Sequence, residues 1–536
     1  MDTKALRQKI LDLAIRGKLV PQDPSDEPAS VLLERIREQK KQMVKEGKLK
    51  AKDIMDDTII FVGEDNLHYE KFADGTVKCI EEEIPFEVPE GWEWTRLQSI
   101  TSILTDGTHK TPTYSEDGYI FLSSKNVTSG KIDWSNIMYI PESLHQELYS
   151  RLAPKIGDIL LAKNGTTGVA AIVDREEVFD IYVSLALIRV VENIIDPLYI
   201  LNVIGSSFAQ DYFSSSLKGI GVPNLHLEHI RNTLIPIPPC LEQARINSRT
   251  DMLLPLAGQI EENREELKRL VSFLKSKILD LAIRGKLVPQ DPNDEPASVL
   301  LERIRTEKEE LIKQGKIKRD KKESIIFRGD DNSYYEKIDG EVSCIDEEIP
   351  YDIPDTWTWM RLENCCVKEI RRGKSPKYAE ISNVIVFAQK CNTKYNGIDI
   401  SLAQYLDETT IKRYPTDEHI QDGDIVINST GTGTLGRVGI YRNTDNTTGL
   451  LIVPDSHVTV IRSFSCISSH YLYAFMKAHQ TELEKKGEGS TNQKELKPLT
   501  LKEMLIAVPP LSEQKRIDKS INVAFSHLAI IEKCLN

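Results

Sequence analysis

Apolar residues recur at a strict seven-residue interval through the middle of the chain, at Ile246, Leu253, Ile260, Leu267, Leu274 and Leu281. This spacing is typical of a coiled-coil seam and predicts one long helix between Leu241 and Ile283, which Pro255 should kink or interrupt. The C-terminus carries apolar residues at alternating intervals of four and three: Ile517, Ile521, Ala524, Leu528, Ile531 and Leu535. The same spacing opens the chain at Leu6, Ile10 and Leu13.

The sequence contains a long internal repeat. The segment KILDLAIRGKLVPQDPSDEPASVLLERIR at 9–37 returns at 277–305 with 28 of 29 positions identical. Fainter matches follow in the same order, including the Gly-Asp-Ile triplets at 157–159 and 423–425, whereas 96–235 and 361–506 diverge almost completely. Such a repeat predicts two copies of one unit, each with a constant scaffold and a variable recognition domain.

The repeat is also circular, because Met1 corresponds to position 269 and Asn536 to position 265. We therefore expect the termini to lie together and to complete a second copy of the central helix. The predicted fold is α+β, with two α/β recognition domains separated by two long antiparallel coiled-coil helices in a pseudo-two-fold circular repeat. A helix of this length spans about 65 Å, enough to hold two domains on separate turns of DNA, which repeat about every 34–36 Å. A coiled coil that serves only dimerisation or packing is the alternative.

These patterns divide the chain into seven segments: a helical segment (1–52), an acidic strap (53–91), a first recognition domain (92–239), a central spacer helix (240–286), a second helix with its acidic strap (287–355), a second recognition domain (356–509) and a C-terminal spacer helix that pairs with the N-terminus (510–536). The helix that follows each IRGKLVPQDP has Asp26 or Asp294 as its predicted N-cap, with Pro28 or Pro296 in the first turn. Its apolar face in the first copy consists of Ala29, Leu32, Leu33, Ile36 and Met43.

Composition narrows the class of protein. The 536 residues are 40% hydrophobic and 28% charged, with no uninterrupted apolar run long enough to span a membrane and no secretory signal, so a cytoplasmic location is expected. The eight cysteines form no CxxC pair, which indicates reduced thiols and no metal site. The net charge of −13 is concentrated in the two straps, which carry −10 (53–91) and −8 (320–355). Any basic surface that binds nucleic acid must therefore be local.

Motifs of catalysis are missing from the sequence. Gly431-Thr432-Gly433-Thr434-Leu435-Gly436 has the spacing of a dinucleotide-binding loop, but RVGIY follows it and predicts a strand, so a β-hairpin loop is the interpretation. The Pro-Pro pairs at 238–239 and 509–510 lack the Asn of an adenine-methylase tetrapeptide and mark domain–helix junctions. His226 and His229 are three residues apart and are expected at the surface.

Polar loop residues are the candidates for DNA contacts, because Arg and Lys read guanine, Asn and Gln read adenine, and hydroxyl groups bind phosphates. In the first domain they are Thr108, His109, Lys110, Thr111, Lys125, Asn126, Lys163, Asn164 and Asn224. In the second domain they are Arg371, Arg372, Lys374, Lys377, Gln389, Lys390, Asn392, Ser429, Thr430, Thr491, Asn492 and Gln493. Matching loops carry different side chains, as expected if the two domains read different sequences. The net charge of −5 over 92–239 leaves the phosphate contacts of the first domain least supported.

These features resemble the specificity subunit of a Type I restriction–modification system. The resemblance is carried by the doubled ILDLAIRGKLVPQDP, by IPIPPCLEQARI and AVPPLSEQKRI, by DGTHKTPTYSEDGYIFLSSKNV, and by GDILLAKNGTTG with GDIVINSTGTGTLG, and it covers essentially the whole chain. It implies two target-recognition domains that read the halves of a split, asymmetric site in double-stranded DNA. It also implies two modification subunits, which methylate adenine with S-adenosylmethionine, and restriction subunits that use ATP and Mg²⁺. None of that chemistry is expected in this chain.

Two other interpretations remain at this point. A fused DNA methyltransferase would need a cofactor-binding glycine loop and a catalytic tetrapeptide, which are both missing. A coiled-coil adaptor without a DNA role would leave the two divergent domains, with their Lys, Arg and Asn loops, unexplained.

Overall fold

The computed structural model describes residues 2–217, 223–319, 324–394, 397–431, 433–489 and 494–535. The chain divides into two compact units, residues 1–264 and 265–536, and each holds one copy of the internal repeat. The boundary falls inside a helix that continues from Cys240 to Ile283 with Pro255 in its interior, so the proline does not interrupt it.

The first unit contains helices and strands in the order expected for a mixed α/β domain with a helical scaffold. Its helices are α1 (Thr3–Ile15), α2 (Ala29–Lys45), α3 (Glu142–Arg151), α4 (Pro197–Gly205), α5 (Ser207–Ser215), α6 (Leu227–Arg231) and the first part of α7 (Cys240–Ile283). Its strands are β1 (Ile59–Val62), β2 (His68–Lys71), β3 (Val77–Cys79), β4 (Glu93–Arg96), β5 (Thr101–Asp106), β6 (Tyr119–Leu122), β7 (Met138–Ile140), β8 (Ile159–Ala162), β9 (Ala170–Ile172), β10 (Phe179–Ile181), β11 (Leu185–Val190) and β12 (Leu234–Ile237).

Four small sheets organise the first unit. The recognition domain holds a four-stranded antiparallel sheet, β5-β11-β8-β9, and a three-stranded sheet, β10-β6-β7, in which β10 and β6 are parallel. Strands β4 and β12 pair at the ends of the domain, and β1-β2-β3 form a separate antiparallel sheet. All four residues of β8 are buried, because this central strand has core on both faces.

The second unit repeats this organisation. Its helices are the last part of α7, α8 (Ala297–Lys313), α9 (Ser469–Ala478), α10 (Gln480–Lys485), α11 (Pro498–Lys502) and α12 (Leu511–Leu535). Its strands are β13 (Ser324–Arg328), β14 (Tyr334–Ile338), β15 (Glu341–Cys344), β16 (Thr358–Arg361), β17 (Arg371–Arg372), β18 (Tyr378–Ala379), β19 (Val384–Phe387), β20 (Gln404–Leu406), β21 (Ile425–Asn428), β22 (Val438–Ile440), β23 (Leu451–Pro454), β24 (Val458–Ile461) and β25 (Leu505–Val508).

The sheets of the second unit match those of the first. The order β17-β24-β21-β22 corresponds to β5-β11-β8-β9, and β16 pairs with β25 as β4 does with β12. The sheet β18-β20-β19-β23 has one strand more than its counterpart but keeps the single parallel pair, β19 with β23. Two domains with almost unrelated sequences therefore share one α/β architecture, as predicted.

Two helices run antiparallel within each unit. In the first unit, the Thr3 hydroxyl donates to Glu261, while Gln22, beyond the other end of α1, donates to Glu242 at 3.0 Å. In the second unit, Lys275 lies 2.7 Å from Glu532, and Gln290 donates to Glu513 at 2.5 Å. The chain therefore has the predicted antiparallel helices as part of each unit; regular coiled-coil packing between them remains a prediction.

The buried side of α7 differs from the predicted heptad seam. Within the predicted seam Ile246 is buried, and Leu253 and Leu281 are half-buried. The seam residues Ile260, Leu267 and Leu274 are exposed, whereas Ala257, Val271 and Leu279, which lie off the seam, are buried. A straight helix drifts relative to a seven-residue repeat, and each half of α7 packs on short elements of its own unit. The sequence interval therefore identified the helix but only part of its buried side.

The caps of α2 and α8 were wrongly predicted. Pro28 and Pro296 are the N-cap residues and form no side-chain cap. Asp26 instead pairs with Arg245, and Asp294 with Arg516, each at 2.5 Å. Helix α2 buries Ala29, Leu32 and Ile36 in the core of its own unit, while Leu33 and Met43 are half-buried.

The repeated Glu-Gln pair after each Pro-Pro motif joins the start of a long helix to its recognition domain through hydrogen bonds. Buried Glu242 accepts a hydrogen bond from Trp92 Nε1 at 3.0 Å, and Gln243 donates to the carbonyl of Pro238 at 3.1 Å. Glu513 and Gln514 make the same two contacts with Trp357 and Pro509. Burial raises the pKa of Glu242 and of Glu513, against the opposing effect of these hydrogen bonds. The interpretation of these motifs as domain–helix junctions is confirmed.

Candidate nucleic-acid interface

Four loops of the first recognition domain meet at one edge of its four-stranded sheet. Three of these loops follow β5, β6 and β8, and the fourth precedes α6. Asn164 forms a bridge with Asn224 and accepts a hydrogen bond from the Ser124 hydroxyl at 3.3 Å. Gly107 starts the first loop against a neighbouring strand, where an added Cβ would lie 2.0 Å from the carbonyl oxygen of Ile181. Only glycine allows this close approach.

Three of the predicted first-domain contacts are buried and bonded inside the domain. The ammonium of Lys163 is buried 2.5 Å from the carboxylate of Asp106 and has almost no contact with solvent. Asn126 is buried, accepts from the Ser123 amide at 3.0 Å, and donates to the carbonyls of Asp133 and Asn136. Thr108 is buried, and its backbone is bridged to Tyr182. Buried polar groups need partners, and these found them inside the domain.

The other first-domain candidates are accessible to a ligand. His109, Lys110, Thr111 and Lys125 are exposed, and Asn164 and Asn224 are half-buried. His109 lies 3.3 Å from Asp106, so it belongs to the same edge as the Lys163–Asp106 pair. Both Lys110 and Lys125 can donate to phosphate oxygens from such positions.

The second domain presents paired cations at the corresponding edge. Arg372 lies 2.7 Å from Glu495, and Lys377 lies 2.7 Å from Asp407. Arg371 pairs with buried Glu418, and Lys374 donates to the carbonyl of Arg413. All four cationic side chains keep part of their surface in solvent. Exposed ion pairs are weak, so Arg372 and Lys377 can exchange their partners for phosphates or bases.

The polar residues of the second domain divide in the same way. Asn392 and Ser429 are buried and structural: Asn392 donates to Asn428 and to the carbonyl of Arg437, and Ser429 shares a 2.7 Å hydrogen bond with Thr459. Lys390 is exposed, while Gln389 and Thr430 are half-buried. Thr430 lies 2.7 Å from His457. Thr491, Asn492 and Gln493 lie outside the described residues.

Strand register reveals an equivalence that sequence comparison missed. Asp106 lies opposite Ala186, and Arg372 lies opposite Thr459, at the same position of matching strand pairs. The following residues, Gly107 and Gly373, are both too close to a neighbouring strand for a side chain. Lys163 directly follows β8 and Ser429 directly follows β21, so these two residues are also at equivalent positions. A buried ion pair in one domain is therefore replaced by a partly exposed Arg372–Glu495 pair in the other.

The same ion pair occurs in both domains, at the opposite end of β8 and of β21 from these loops. Arg189 holds Asp158 through hydrogen bonds of 2.7 and 2.6 Å, and Arg462 holds Asp424 with the same two distances. Burial raises the pKa of Asp424, against the effect of Arg462. The Gly-Asp-Ile match in the sequence pointed to these turns, but the arginines lie more than thirty residues away in divergent segments.

The glycine-rich segments are hairpin connections. Strands β8 and β9 are antiparallel, as are β21 and β22, so the predicted hairpin interpretation is confirmed and a dinucleotide-binding loop is excluded there. Thr432 lies outside the described residues. His226 is exposed, and His229 is half-buried. Across the described ranges, acidic, His and Cys side chains form no group suited to a metal ion. No helix in those ranges has the length and apolar character required to cross a bilayer.

Two domains of one fold, with different polar chemistry at equivalent positions, define a recognition protein with two unlike binding surfaces. Comparison with known proteins also identifies two DNA specificity domains in the chain. Residues 89–269 and 354–536 both match the Type I restriction modification DNA specificity domain. The Escherichia coli Type I restriction enzyme EcoAI specificity subunit is 33% identical over 407 residues, which cover 67% of this chain and 62% of that relative. The EcoEI specificity subunit, also from E. coli, is 28% identical over 97% of this chain and 89% of its own length.

The same fold occurs in a solved structure from work on the structural basis of complex assembly and conformational transition in the type I R-M system. Its TM-score is 0.52 at 18% identity, with 84% of this chain and 94% of that chain covered. The chain therefore belongs to the Type I restriction–modification DNA specificity family, whose members provide sequence specificity and not catalysis. The fused-methyltransferase and adaptor interpretations are set aside by this finding.

Proposed function

We propose that residues 92–239 and 356–509 each read one half of a bipartite, asymmetric site in double-stranded DNA. The observation that carries the proposal is the exchange of a buried Asp106–Lys163 pair for the partly exposed Arg372–Glu495 pair at equivalent strand positions. A shared scaffold that presents different donors and acceptors is what two unlike half-sites require.

The accessible side chains are the proposed DNA contacts. They are His109, Lys110, Thr111, Lys125, Asn164 and Asn224 in the first domain, and Arg371, Arg372, Lys374, Lys377, Gln389, Lys390 and Thr430 in the second. Thr491, Asn492 and Gln493 are proposed on sequence grounds alone. The lysines position the phosphate backbone, while Arg372 and the amides supply directional donors to base edges.

The chain directs partner enzymes to the site. Two modification subunits, which methylate adenine with S-adenosylmethionine, and restriction subunits, which use ATP and Mg²⁺, are the proposed partners in the cytoplasm. Family membership supports this assembly, and the duplicated scaffold supports two equivalent docking positions.

Genome-wide mapping of methylated adenine, in cells with and without this chain, tests the proposal. We expect one two-part sequence motif to lose methylation when the chain is absent. A methylation pattern that does not depend on the chain would contradict it. A continuous motif without a gap would contradict the two-domain reading in particular.

A further inference from the structure

The sheets β1-β2-β3 and β13-β14-β15, here called the strap sheets, have matching outward faces. Phe61, Tyr69 and Cys79 form one cross-strand row, and Ile59, Lys71 and Val77 form a second. The other strap sheet has Phe327, Tyr335 and Cys344 in one row, and Ile325, Lys337 and Val342 in the other. The two rows of each sheet lie on one face, because alternate residues of a strand share a face. All six positions of this outward face carry the same residue in both sheets.

The inward faces have a clear structural task. Ile60 and Ile326 are buried, and Glu70 and Glu336 bind Arg96 and Arg361 at 2.7 and 2.6 Å. These contacts fix each sheet to its own unit. They account for the Ile and Glu residues that the two inward faces share, whereas the inward Lys78 is replaced by Ser343; they do not account for the identity of the outward positions.

The outward faces are mostly apolar, with Lys71 and Lys337 as their charged members, and they are open to solvent. Phe61 and Phe327 are 38% and 41% exposed, and Val77 and Val342 are 52% and 54% exposed. Each phenylalanine stacks on its neighbouring tyrosine at a ring distance of 5.9 Å in both sheets. Exposed aromatic and β-branched side chains on a flat sheet are a liability in an uncovered protein, and contiguous apolar surface of this kind marks an interaction site.

Charge restricts what can cover these faces. The segments that hold them, 53–91 and 320–355, carry net charges of −10 and −8. Such segments repel DNA phosphates and attract a basic protein surface. The surface is also the same in both units, whereas the recognition domains differ. Partners that bind it are therefore expected to be two copies of one protein.

We propose that each strap sheet docks one modification subunit, through an apolar patch with a basic rim on that subunit. This inference rests on the proposed function, which supplies the partner. The row of Phe61, Tyr69 and Cys79, with its counterpart in the second unit, forms the centre of the contact.

The test compares variants of the full-length chain mixed with purified modification subunit. The first variant combines Phe61→Ser with Val77→Thr, the second combines Phe327→Ser with Val342→Thr, and the third carries all four changes. The matched control combines Ile156→Ser with Ile381→Ser, which alters exposed apolar residues of the recognition domains. Native mass spectrometry gives the stoichiometry, and alkylation of Cys79 and Cys344 reports whether each sheet is covered.

We expect wild type and control to bind two modification subunits. Each variant with two substitutions in one strap sheet should bind one modification subunit tightly. Its affinity for the second modification subunit should fall about tenfold or more, as for loss of a hot-spot residue. The four-site variant should lose both. In the wild-type complex, Cys79 and Cys344 should be protected from alkylation.

Three outcomes overturn the inference. If the strap variants still bind two subunits with unchanged affinity, the docking surface lies elsewhere and the proposed function stands. If the chain alone forms dimers that the strap changes dissociate, the occupant is a second copy of the chain. If wild type binds no modification subunit at all, the proposed assembly itself fails.

Discussion

Lys163 illustrates how burial changes the role of a cation. Its ammonium and the Asp106 carboxylate form a 2.5 Å pair with almost no solvent contact. Removing one partner from a buried pair leaves an uncompensated charge, at a cost of about 3–5 kcal/mol. We expect Lys163→Ala to destabilise the first unit by that amount, and Lys163→Met with Asp106→Asn to cost much less. Urea denaturation of the single and double variants measures the difference. Normal stability with impaired DNA binding in Lys163→Ala would restore Lys163 as a DNA contact.

The cations of the second domain should behave in the opposite way. Arg371, Arg372 and Lys374 are partly exposed, and buried Glu418 keeps Lys368 as a partner at 3.1 Å when Arg371 is removed, so replacing all three cations with Ala should leave the fold intact. We expect binding to the second half-site to weaken by several kcal/mol, at about 1–3 kcal/mol per specific contact. Fluorescence anisotropy of the assembled complex, with each half-site altered in turn, measures the effect. Lys486→Ala, an exposed lysine in a helix-surface ion pair, is the control. Unchanged affinity of the triple variant would reject these contacts.

At this scale the sequence predicted loop positions better than roles. Lys110 and Lys125 were found exposed as expected, but Lys163, Asn126, Asn392 and Ser429 looked equally available in the sequence. Their availability depends on partners far along the chain: Asp106 is 57 residues from Lys163, and Arg437 is 45 from Asn392. Local sequence does not contain that information.

Elements were more predictable than residues. The glycine-rich segments were identified as hairpins because an apolar run precedes and follows each one, and both strand pairs are present. The N-cap of α2 was missed for a non-local reason, since Asp26 is taken by Arg245, 219 residues later. The heptad interval found α7 but only part of its buried side, because that side depends on which elements pack on it.

The attachment of α2 should depend on pH. Lys40 of this helix is buried 2.7 Å from Asp57 and 3.1 Å from the carbonyl of Gln98. Burial raises the pKa of Asp57 from 3.8 to about 6, against the attraction of Lys40. Folded Asp57 therefore binds its proton more tightly than the unfolded chain does. Its contribution to stability is complete below pH 3.8 and is lost as the pH rises through about 6.

Hydrogen exchange of the α2 amides can detect this dependence. After correction for intrinsic rates, protection in wild type should fall between pH 4 and pH 7 relative to Asp57→Asn. Parallel pH profiles for the two proteins would show that Asp57 is not the group responsible.

The division of the whole chain bears on the predicted closed ring. The two units end at residues 264 and 536, which are nearly equivalent positions in the repeat. Helix α7 continues through the first of these positions. A circular permutant that begins at Glu265, ends at Arg264 and joins the old termini through three residues should therefore fold and bind DNA like wild type. A binding assay with the modification subunits measures this. Loss of folding that a longer linker does not rescue would contradict the ring.

Spacer length should set the gap between the half-sites. Seven residues inserted after Arg264 add about 10 Å at 1.5 Å per residue and nearly preserve the helical phase. At about 3.4 Å per base pair this equals roughly three base pairs. With a matching extension of α12 at the C-terminus, methylation mapping should find both half-site sequences unchanged and the gap longer by that amount. The same seven residues placed in the loop after Gly47 should leave the gap as it was, because that loop belongs to neither spacer. A gap that follows the loop insertion, or that ignores the helix insertion, would show that the long helices do not measure the distance between the two recognition surfaces.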